Sequence, residues 1–342
     1  MNTGLTLRQQ LDRFRRWALE HFDQIKADES LDRAEYLQRV SELHAKICQR
    51  GDLPWASAHF EPLVTDGRAA YYYGVVKDGG EECFLKVRPV NARTHATLDA
   101  FARNQLPAQG KYYQCLTPRK AVYLPNVAGI YLFPLWRHQP KSIQGAYANP
   151  LFQRGLAEFN LSLAGDIARW LLRLGKLPLA LQPLEAADFE RYSTPSELIE
   201  RYVHNHDRIR ALWGRWQREL DALPQGFLHA DLGVLNFKTH EDRLLLLDLE
   251  DACIGPLGGD LAWMLFYAER IKNAQERRTH IDRILDGYVS SCVALGQPIT
   301  KEQASLAAYA LYFMKWLIPG PGTQSNMEAL AQRQEAALKF FA

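Results

Sequence analysis

Three side chains that can offer oxygen ligands lie close together in the chain: Asp231, Asn236 and Asp248. The polar stretch 238–243 and the leucines of 244–247 predict a hairpin whose second, buried strand ends at Asp248. A carboxylate at the end of such a strand is costly to bury unless it meets a cation or a proton donor. Mg²⁺ prefers hard oxygen ligands and leaves room for phosphates. We therefore expect these side chains to converge on Mg²⁺ and a reacting hydroxyl group.

Three motifs in this stretch resemble those of a known superfamily. Residues 229–236, HADLGVLN, resemble the H-x-D-x-x-x-x-N catalytic loop of the kinase-like phosphotransferases. Asp248 stands where that superfamily has its metal-binding Asp. Residues 254–262, IGPLGGDLA, are similar to the G-D-P-x-x-D-L-A run of the aminoglycoside phosphotransferase and choline kinase families. The resemblance implies an α+β, two-lobed protein kinase-like fold, with a small antiparallel β N-lobe and a larger, mostly helical C-lobe.

The same resemblance implies the roles of the central residues in a kinase that uses ATP, or GTP, with Mg²⁺. Asp231 is expected to orient the acceptor hydroxyl and take its proton as the catalytic base. Asn236 and Asp248 are expected to hold the metal against the β- and γ-phosphates. His229 is expected to brace the loop, and Asp260 to accept hydrogen bonds from the loop backbone or from His229.

Cofactor-binding residues are expected before the catalytic loop. Residues 65–69 form a turn between two strand-like segments, and Gly67 in this turn would lie over the phosphates. Lys86 follows on the third strand, where the superfamily places the lysine that binds the α- and β-phosphates. The alternation of this strand puts Lys86 and Arg88 on one face.

The acidic partner of Lys86 is less clear from the sequence. The superfamily pairs its lysine with a Glu on the following helix, and this chain has none there. Asp99 is the only acid between Lys86 and the next strand, so it is the candidate, provided that the helix lies close enough for a shorter side chain. Glu250 is similar in position to the second acid of the D-x-E motif of choline kinases. It could assist the site or be a solvated acid.

The length of one connection indicates the class of acceptor. Protein kinases place a long activation segment after the metal-binding Asp, and here the G-D-L-A run at 259–262 follows Asp248 too closely for one. A small-molecule or sugar acceptor is therefore expected, either an amine such as an aminoglycoside or choline, or a saccharide. It would lie against the C-terminal helices, where the candidate residues are Tyr267, Glu269, Arg270, Tyr309, Tyr312 and Trp316.

Hydrophobic periodicity predicts the elements that position these residues. We expect an extra N-terminal helical hairpin in residues 1–52, an N-lobe in 53–136 and a helical C-lobe in 137–342. The hairpin would pack on the body, or form a dimer interface. Strands are expected at 60–64, 71–76, 82–87, 122–124 and 129–133, and helices at 91–104, 151–174, 196–223, 260–271, 278–295, 301–317 and 327–341.

Composition narrows the function classes further. A net charge of +2 is not the signature of a protein that binds nucleic acid or another polyanion. Five cysteines without CxxC spacing, together with a polar N-terminus, predict reduced thiols and a cytoplasmic location. No apolar run approaches the length of a membrane span. The oligomeric state is not predicted.

Two other functions fit parts of the pattern. A degenerate kinase-like binding or scaffold protein would explain the missing helix Glu and the poor glycine content of the first turn. A metal hydrolase could use His229, Asp231 and Asp248, with His240 as the nearest further ligand.

Overall fold

A computed structural model describes residues 4–27, 31–55, 60–64, 70–135, 145–163, 196–317 and 327–341. The chain divides into two compact units. Unit 1 comprises Met1–Ala108, Cys115–Pro140 and Leu247–Glu250, and unit 2 comprises Gln109–Gln114, Lys141–Leu246 and Asp251–Ala342.

Unit 1 begins with helices where the sequence predicts a helical hairpin. The first predicted helix is interrupted at His21, so the segment forms α1 (Leu7–Glu20), α2 (Phe22–Lys26) and α3 (Leu31–Gly51). A capping box starts α1, because the Thr6 side chain accepts from the Gln9 backbone while the Gln9 side chain accepts from the Thr6 backbone.

An antiparallel sheet forms the rest of the core of unit 1. Its strands run in the order β1-β2-β3-β6-β5. Their bounds are β1 Glu61–Leu63, β2 Tyr72–Asp78, β3 Glu81–Arg88, β5 Lys120–Leu124 and β6 Ala128–Pro134, and helix α4 spans Ala92–Ala102. Gly79 and Gly80 close the β2–β3 hairpin with φ of +59° and +89°, a left-handed pair that favours glycine.

Strand β3 separates two environments. Cys83, Leu85 and Val87 are fully buried in one hydrophobic core together with residues of α1 and α3. Lys86 and Arg88 lie on the opposite face, as the alternation predicts, and Lys86 is paired in register with Tyr73 of β2 and Tyr131 of β6. The N-terminal helices and the sheet therefore share a core, while the charged face of β3 lies on the other side.

His44 of α3 is a buried polar contact between the helices and the sheet. Its Nε2 lies 3.0 Å from the Trp55 carbonyl oxygen, so this nitrogen carries the proton, and its Nδ1 accepts from the Tyr72 hydroxyl at 3.2 Å. The ring stacks on Phe60 with the centroids 3.8 Å apart. Burial lowers the pKa of His44, so the neutral imidazole is the folded form.

This histidine predicts a loss of stability in mild acid. Because the pKa of His44 is lower in the folded than in the unfolded protein, the unfolded state binds more protons as the pH falls through about 6.5. The thermal midpoint should therefore fall below that pH, and fall less in a His44→Gln variant. Burial raises the pKa of the neighbouring Tyr72 and, to about 11, of Cys48, so neither titrates in this range. Equal acid sensitivity in both proteins would contradict the prediction.

Unit 2 is mostly helical. Strands β8 and β9 form the expected hairpin beside β4 in the order β4-β9-β8, and β7 pairs with β10. The strand bounds are β4 Tyr113–Cys115, β7 Gln225–Leu228, β8 Phe237–His240, β9 Arg243–Leu246 and β10 Cys253–Pro256. The helices are α5 Pro150–Asn160, α6 Ser196–Ala222, α7 Ala262–Ala268, α8 Ala274–Ala294, α9 Lys301–Leu317 and α10 Met327–Phe341.

Local residues explain the position of the hairpin. Glu241 and Asp242 between β8 and β9 have φ of +47° and +61°, the pair of left-handed residues that closes a two-residue hairpin with the right twist. Gly155 of α5 allows close packing against β9, since a Cβ there would lie 2.5 Å from the Leu244 Cβ. The β8–β9 hairpin is thus fixed directly before Asp248.

Two further features of the described chain concern its cysteines and its helices. All five cysteines lie in it, and each is a buried free thiol. Its helices include none that combines the length and the apolarity of a membrane span.

Candidate active site

A buried ion-pair cluster occupies the charged face of β3 in unit 1. The Lys86 ammonium donates to Asp248 Oδ1 and to Glu250 Oε2, both at 2.8 Å. Arg88 forms a further ion pair with the same oxygen of Glu250. The exposed fraction of the side chain is 7% for Lys86 and 8% for Glu250, but 39% for Asp248. Glu250 is therefore an internal carboxylate, whereas Asp248 remains accessible to a ligand.

The charges in this cluster compensate one another. Burial by itself would lower the pKa of Lys86, but the attraction of Asp248 and Glu250 outweighs it and raises the pKa, so the ammonium stays charged. Burial raises the pKa of Glu250 even though Lys86 and Arg88 oppose this shift. For each group, burial disfavours the charged form and the oppositely charged neighbours favour it, so each charge is stabilised by its partners, as is typical of a buried ion pair.

The backbone at Asp248 is held in an unusual conformation. Asp248 has a φ of +60°, in the left-handed region that non-glycine residues seldom adopt, between β9 and the 3₁₀ turn Leu249–Asp251. This conformation turns the chain so that Asp248 and Glu250 both reach Lys86. Strain of this kind persists where surrounding contacts over-determine it, often at functional sites.

Asp99 and Gly67 are the two other cofactor-binding residues predicted from the sequence. Among the described residues, the carboxylates bonded to Lys86 are those of Asp248 and Glu250. Asp99 instead pairs at 2.9 Å with Arg103, the residue that directly follows α4. The structure thus does not bring Asp99 and Lys86 together, because the short side chain is engaged at the end of its own helix. Gly67 lies outside the described residues.

In unit 2 the structure brings Asp231 and Asn236 together. The Asn236 side-chain amide donates to the Asp231 carbonyl oxygen at 2.8 Å and to its Oδ2 at 3.2 Å. The Asp231 backbone N–H in turn donates to His229 Nδ1 at 3.3 Å, and the fully buried His229 thus braces the loop as the sequence analysis expects. Ala230, between them, has a φ of +65°. The loop is closed on itself around the carboxylate of Asp231.

Asp260 fixes this loop through hydrogen bonds to its backbone. Its carboxylate accepts from the backbone N–H groups of His229 at 2.9 Å and Ala230 at 2.8 Å. Asn160, at the end of α5, donates to the same carboxylate at 2.9 Å and to the Phe227 carbonyl at 2.7 Å. Tyr288 donates to the Asn160 side-chain oxygen at 2.8 Å. Asp260 therefore has the structural role expected of it.

Asn160 was not found by sequence reasoning. It is completely buried, so each of its polar atoms needs a partner, and the Asp260–Tyr288 network supplies them. A single Asn at the end of a helix carries no spacing signal that could have revealed this role. Arg88 did have a signal, since the alternation of β3 puts it beside Lys86.

Helix α7 lies beside the loop formed by residues 229–236. The Trp263 ring would be 3.7 Å from a Cβ placed on Gly233, and Trp263 stacks with Tyr267 at 5.9 Å between centroids. Arg270 lies over the Tyr267 ring at 5.2 Å. Two of the acceptor residues expected from the sequence therefore lie near the 229–236 loop: Tyr267 is on α7, and Arg270 follows the end of this helix.

Three other acceptor candidates line a cavity in unit 2. The cavity has a volume of about 480 Å³ and is lined by Leu265, Glu269, Arg277, Ile281, Tyr309, Tyr312, Phe313, Gln332, Arg333 and Ala336. Tyr312 donates to Glu269, and Arg333 lies 3.9 Å from the same carboxylate. Arg277 and Arg333 outnumber the one acid of the wall. The side chain of Trp316 lies outside the described residues.

The donor set at these positions fits a magnesium–nucleotide complex. Mg²⁺ in such sites takes one or two protein oxygens and completes its shell with water and phosphate. Within the described chain, His, Cys, Asp and Glu side chains form no cluster of three or more that could hold a metal by themselves. Asp248 offers an accessible carboxylate, and Lys86 a buried ammonium for a phosphate. Asp248 could therefore hold the metal, and Lys86 a phosphate of the nucleotide.

Comparison with known proteins identifies the family. Residues 66–290 match the model of the phosphotransferase enzyme family, APH. The chain belongs to this family. It is a kinase-type phosphotransferase, and its two-lobed α+β fold confirms the fold class expected from the sequence.

Solved structures with the same fold are distant in sequence. The ethanolamine kinase of Plasmodium vivax is 15% identical at a TM-score of 0.50, with 100% of this chain and 96% of that chain covered. A thermostable mutant of aminoglycoside phosphotransferase APH(4)-Ia, in complex with ADP and hygromycin B, is 12% identical at 0.48, with 86% and 97% covered. Choline kinase LicA from Streptococcus pneumoniae is 14% identical at 0.45, with 86% and 99% covered. The search of curated proteins gives no match.

Proposed function

We propose that the protein transfers the γ-phosphate of ATP to a hydroxyl group of a small molecule or sugar. The observation that carries this proposal is the bond between the buried Lys86 ammonium and the accessible Asp248 carboxylate, 2.8 Å long. A phosphate-binding cation and a metal-binding anion are thereby kept together on one strand face. The family membership makes phosphoryl transfer the chemistry to which these groups belong.

Each residue has a separate task in the proposed reaction. Asp231 orients the acceptor hydroxyl and accepts its proton, and the hydrogen bond from Asn236 holds that carboxylate in place. Lys86 binds the α- and β-phosphates. Asn236 and Asp248 would hold Mg²⁺, which would supply positive charge against the phosphates. Asp260 keeps the loop backbone rigid, so that the hydroxyl is presented in line.

The charged residues of the cavity in unit 2 favour a neutral or acidic acceptor over one that carries an amine. The acceptors named for the solved relatives, hygromycin B, choline and ethanolamine, carry amino or ammonium groups. Such groups need acids around them, but the cavity wall has Arg277 and Arg333 against Glu269 alone, and Arg270 lies over the ring of Tyr267 on α7. Tyr267 and Trp263 offer ring faces on which a sugar could stack. A saccharide, neutral or bearing an acidic group, is therefore the proposed acceptor.

An acceptor panel with labelled γ-phosphate tests this function. ATP with Mg²⁺ should raise the thermal midpoint, and label should move to neutral or acidic saccharides faster than to aminoglycosides, choline or ethanolamine. GTP in parallel decides the nucleotide. The Asp231→Asn protein provides the background rate. Nucleotide binding without transfer to any hydroxyl compound would favour the non-catalytic binding protein, and rapid transfer to amines would overturn the proposed acceptor class.

A further inference from the structure

We propose that Glu250 is the positioning residue of the nucleotide-binding lysine, in place of an acid on the helix after β3, and that Arg88 holds Glu250 in this position. This inference rests on the proposed function, because it concerns how Lys86 is presented to a nucleotide. It is more specific than the D-x-E resemblance, which implies only that Glu250 could assist the site or be a solvated acid.

The first argument is the position of the two carboxylates around Lys86. Both accept from Lys86 Nζ at 2.8 Å, but only Glu250 is buried, with 8% of its side chain exposed against 39% for Asp248. An accessible carboxylate can exchange the lysine for a metal ion. The buried one has no comparable access and stays with the lysine. Glu250 can therefore hold Lys86 in both states, whereas Asp248 can hold it only while no metal is bound.

The second argument is the contact with Arg88. Lys86 and Arg88 are two residues apart on one face of β3, and the same oxygen of Glu250 contacts both. Because Glu250 contacts two cations of the same strand, its carboxylate cannot change rotamer without losing the contact with Lys86 or with Arg88. Arg88 has 12% of its side chain exposed, so this contact is largely shielded from water. Glu250 is consequently fixed to the strand that carries Lys86.

The third argument is the state of the expected alternative. Asp99 is the acid of helix α4 that could have performed this task, and it is paired with Arg103 directly after the helix. Its side chain is 26% exposed, so it lies at a wetter position than Glu250. In this chain the acid that holds Lys86 therefore comes from the segment that also carries Asp248, and not from helix α4.

The test compares Glu250→Gln with Asp99→Asn as a matched control, using ADP as the probe both with Mg²⁺ and with EDTA. If Glu250 positions Lys86, ADP binding should weaken about tenfold in Glu250→Gln with Mg²⁺, the size expected for one impaired charge-assisted hydrogen bond. It should weaken less with EDTA, because Asp248 then still bonds the lysine. It should change less than about twofold in Asp99→Asn. In steady state, KM for ATP should rise while KM for the acceptor stays constant. Glu250→Asp, which keeps the charge, should recover part of the loss.

Several outcomes would overturn the inference. Recovery of ADP binding in Glu250→Gln at a high Mg²⁺ concentration would make Glu250 a metal ligand, and a larger effect in Asp99→Asn would return the role to α4. If Glu250→Gln does not fold, the neutral pair Arg88→Gln with Glu250→Gln removes both buried charges together and should give the same loss of ADP binding. A wild-type protein that binds no ADP would refute the proposed function as well. Normal wild-type binding with an unaffected Glu250→Gln would refute the positioning role alone.

Discussion

Replacing Asp231 by Asn should lower the rate of phosphoryl transfer by about three orders of magnitude while leaving ATP binding nearly unchanged. The substitution removes the group proposed to accept the hydroxyl proton, and general-base catalysis contributes about 10²–10⁴-fold. The conformation of the loop should be preserved, because the Asn side-chain oxygen can still accept from Asn236 and the backbone N–H of residue 231 can still donate to His229 Nδ1. Turnover measured at saturating ATP and acceptor reports the loss.

Asp242→Asn is the matched control for this change. Asp242 is an exposed acid of the same unit, in the β8–β9 turn, with a left-handed φ of +61° that Asn adopts readily. The same change in charge there should leave turnover within about twofold, as expected of an exposed site away from the chemistry. If Asp231→Asn behaves like this control, Asp231 is not the base.

Replacing Lys86 by Met should destabilise the protein as well as impair ATP binding. The change leaves Asp248 and Glu250, which both bond the lost ammonium, facing each other with Arg88 as the remaining cation. Removing one member of a buried ion pair costs about 3–5 kcal/mol, and the partial exposure of Asp248 favours the lower end. A fall of roughly 5–10 °C in the thermal midpoint is expected from a change of this size. Thermal unfolding without nucleotide measures it.

A second lysine of the same sheet provides the control. Lys120 of β5 pairs with Asp78 at 2.8 Å, but half of its side chain is exposed, and pairs of this kind contribute little. Lys120→Met should therefore leave the midpoint nearly unchanged. In Lys86→Met, adding Asp248→Asn should restore part of the stability, because Asp248 has lost its lysine whereas Glu250 keeps its ion pair with Arg88. No recovery in the double variant would mean that the loss comes from packing and not from charge.

The elements that carry the site could be predicted because their signals are local. Alternation on β3 put Lys86 opposite the apolar core, and the polar turn before the leucine run gave the β8–β9 hairpin with two left-handed residues at its centre. The close spacing of His229, Asp231 and Asn236 likewise described a loop that is closed by its own hydrogen bonds.

The partners of these residues could not be predicted, because they are chosen by tertiary packing. Asp99 and Glu250 were both acids of suitable type, and the sequence does not say which one lies near Lys86. The left-handed backbone at Asp248, which turns Glu250 inward, has no residue signature, since it is not a glycine. Asn160 meets Asp260 only after α5 has packed against the loop. The roles of Asp231, Asn236, Asp248 and Lys86 remain predictions for the experiments above.

The common core of the N-terminal helices and the sheet affects how a minimal enzyme could be cut from this chain. The match to the family begins at residue 66, yet Leu11, Val40 and Ile47 pack in the same cluster as Leu85 and Val87 of the lysine-bearing strand. A fragment that begins at residue 66 would expose the apolar face of that strand to solvent. Its apolar residues would then promote aggregation, and the fragment would report a solubility defect instead of the chemistry.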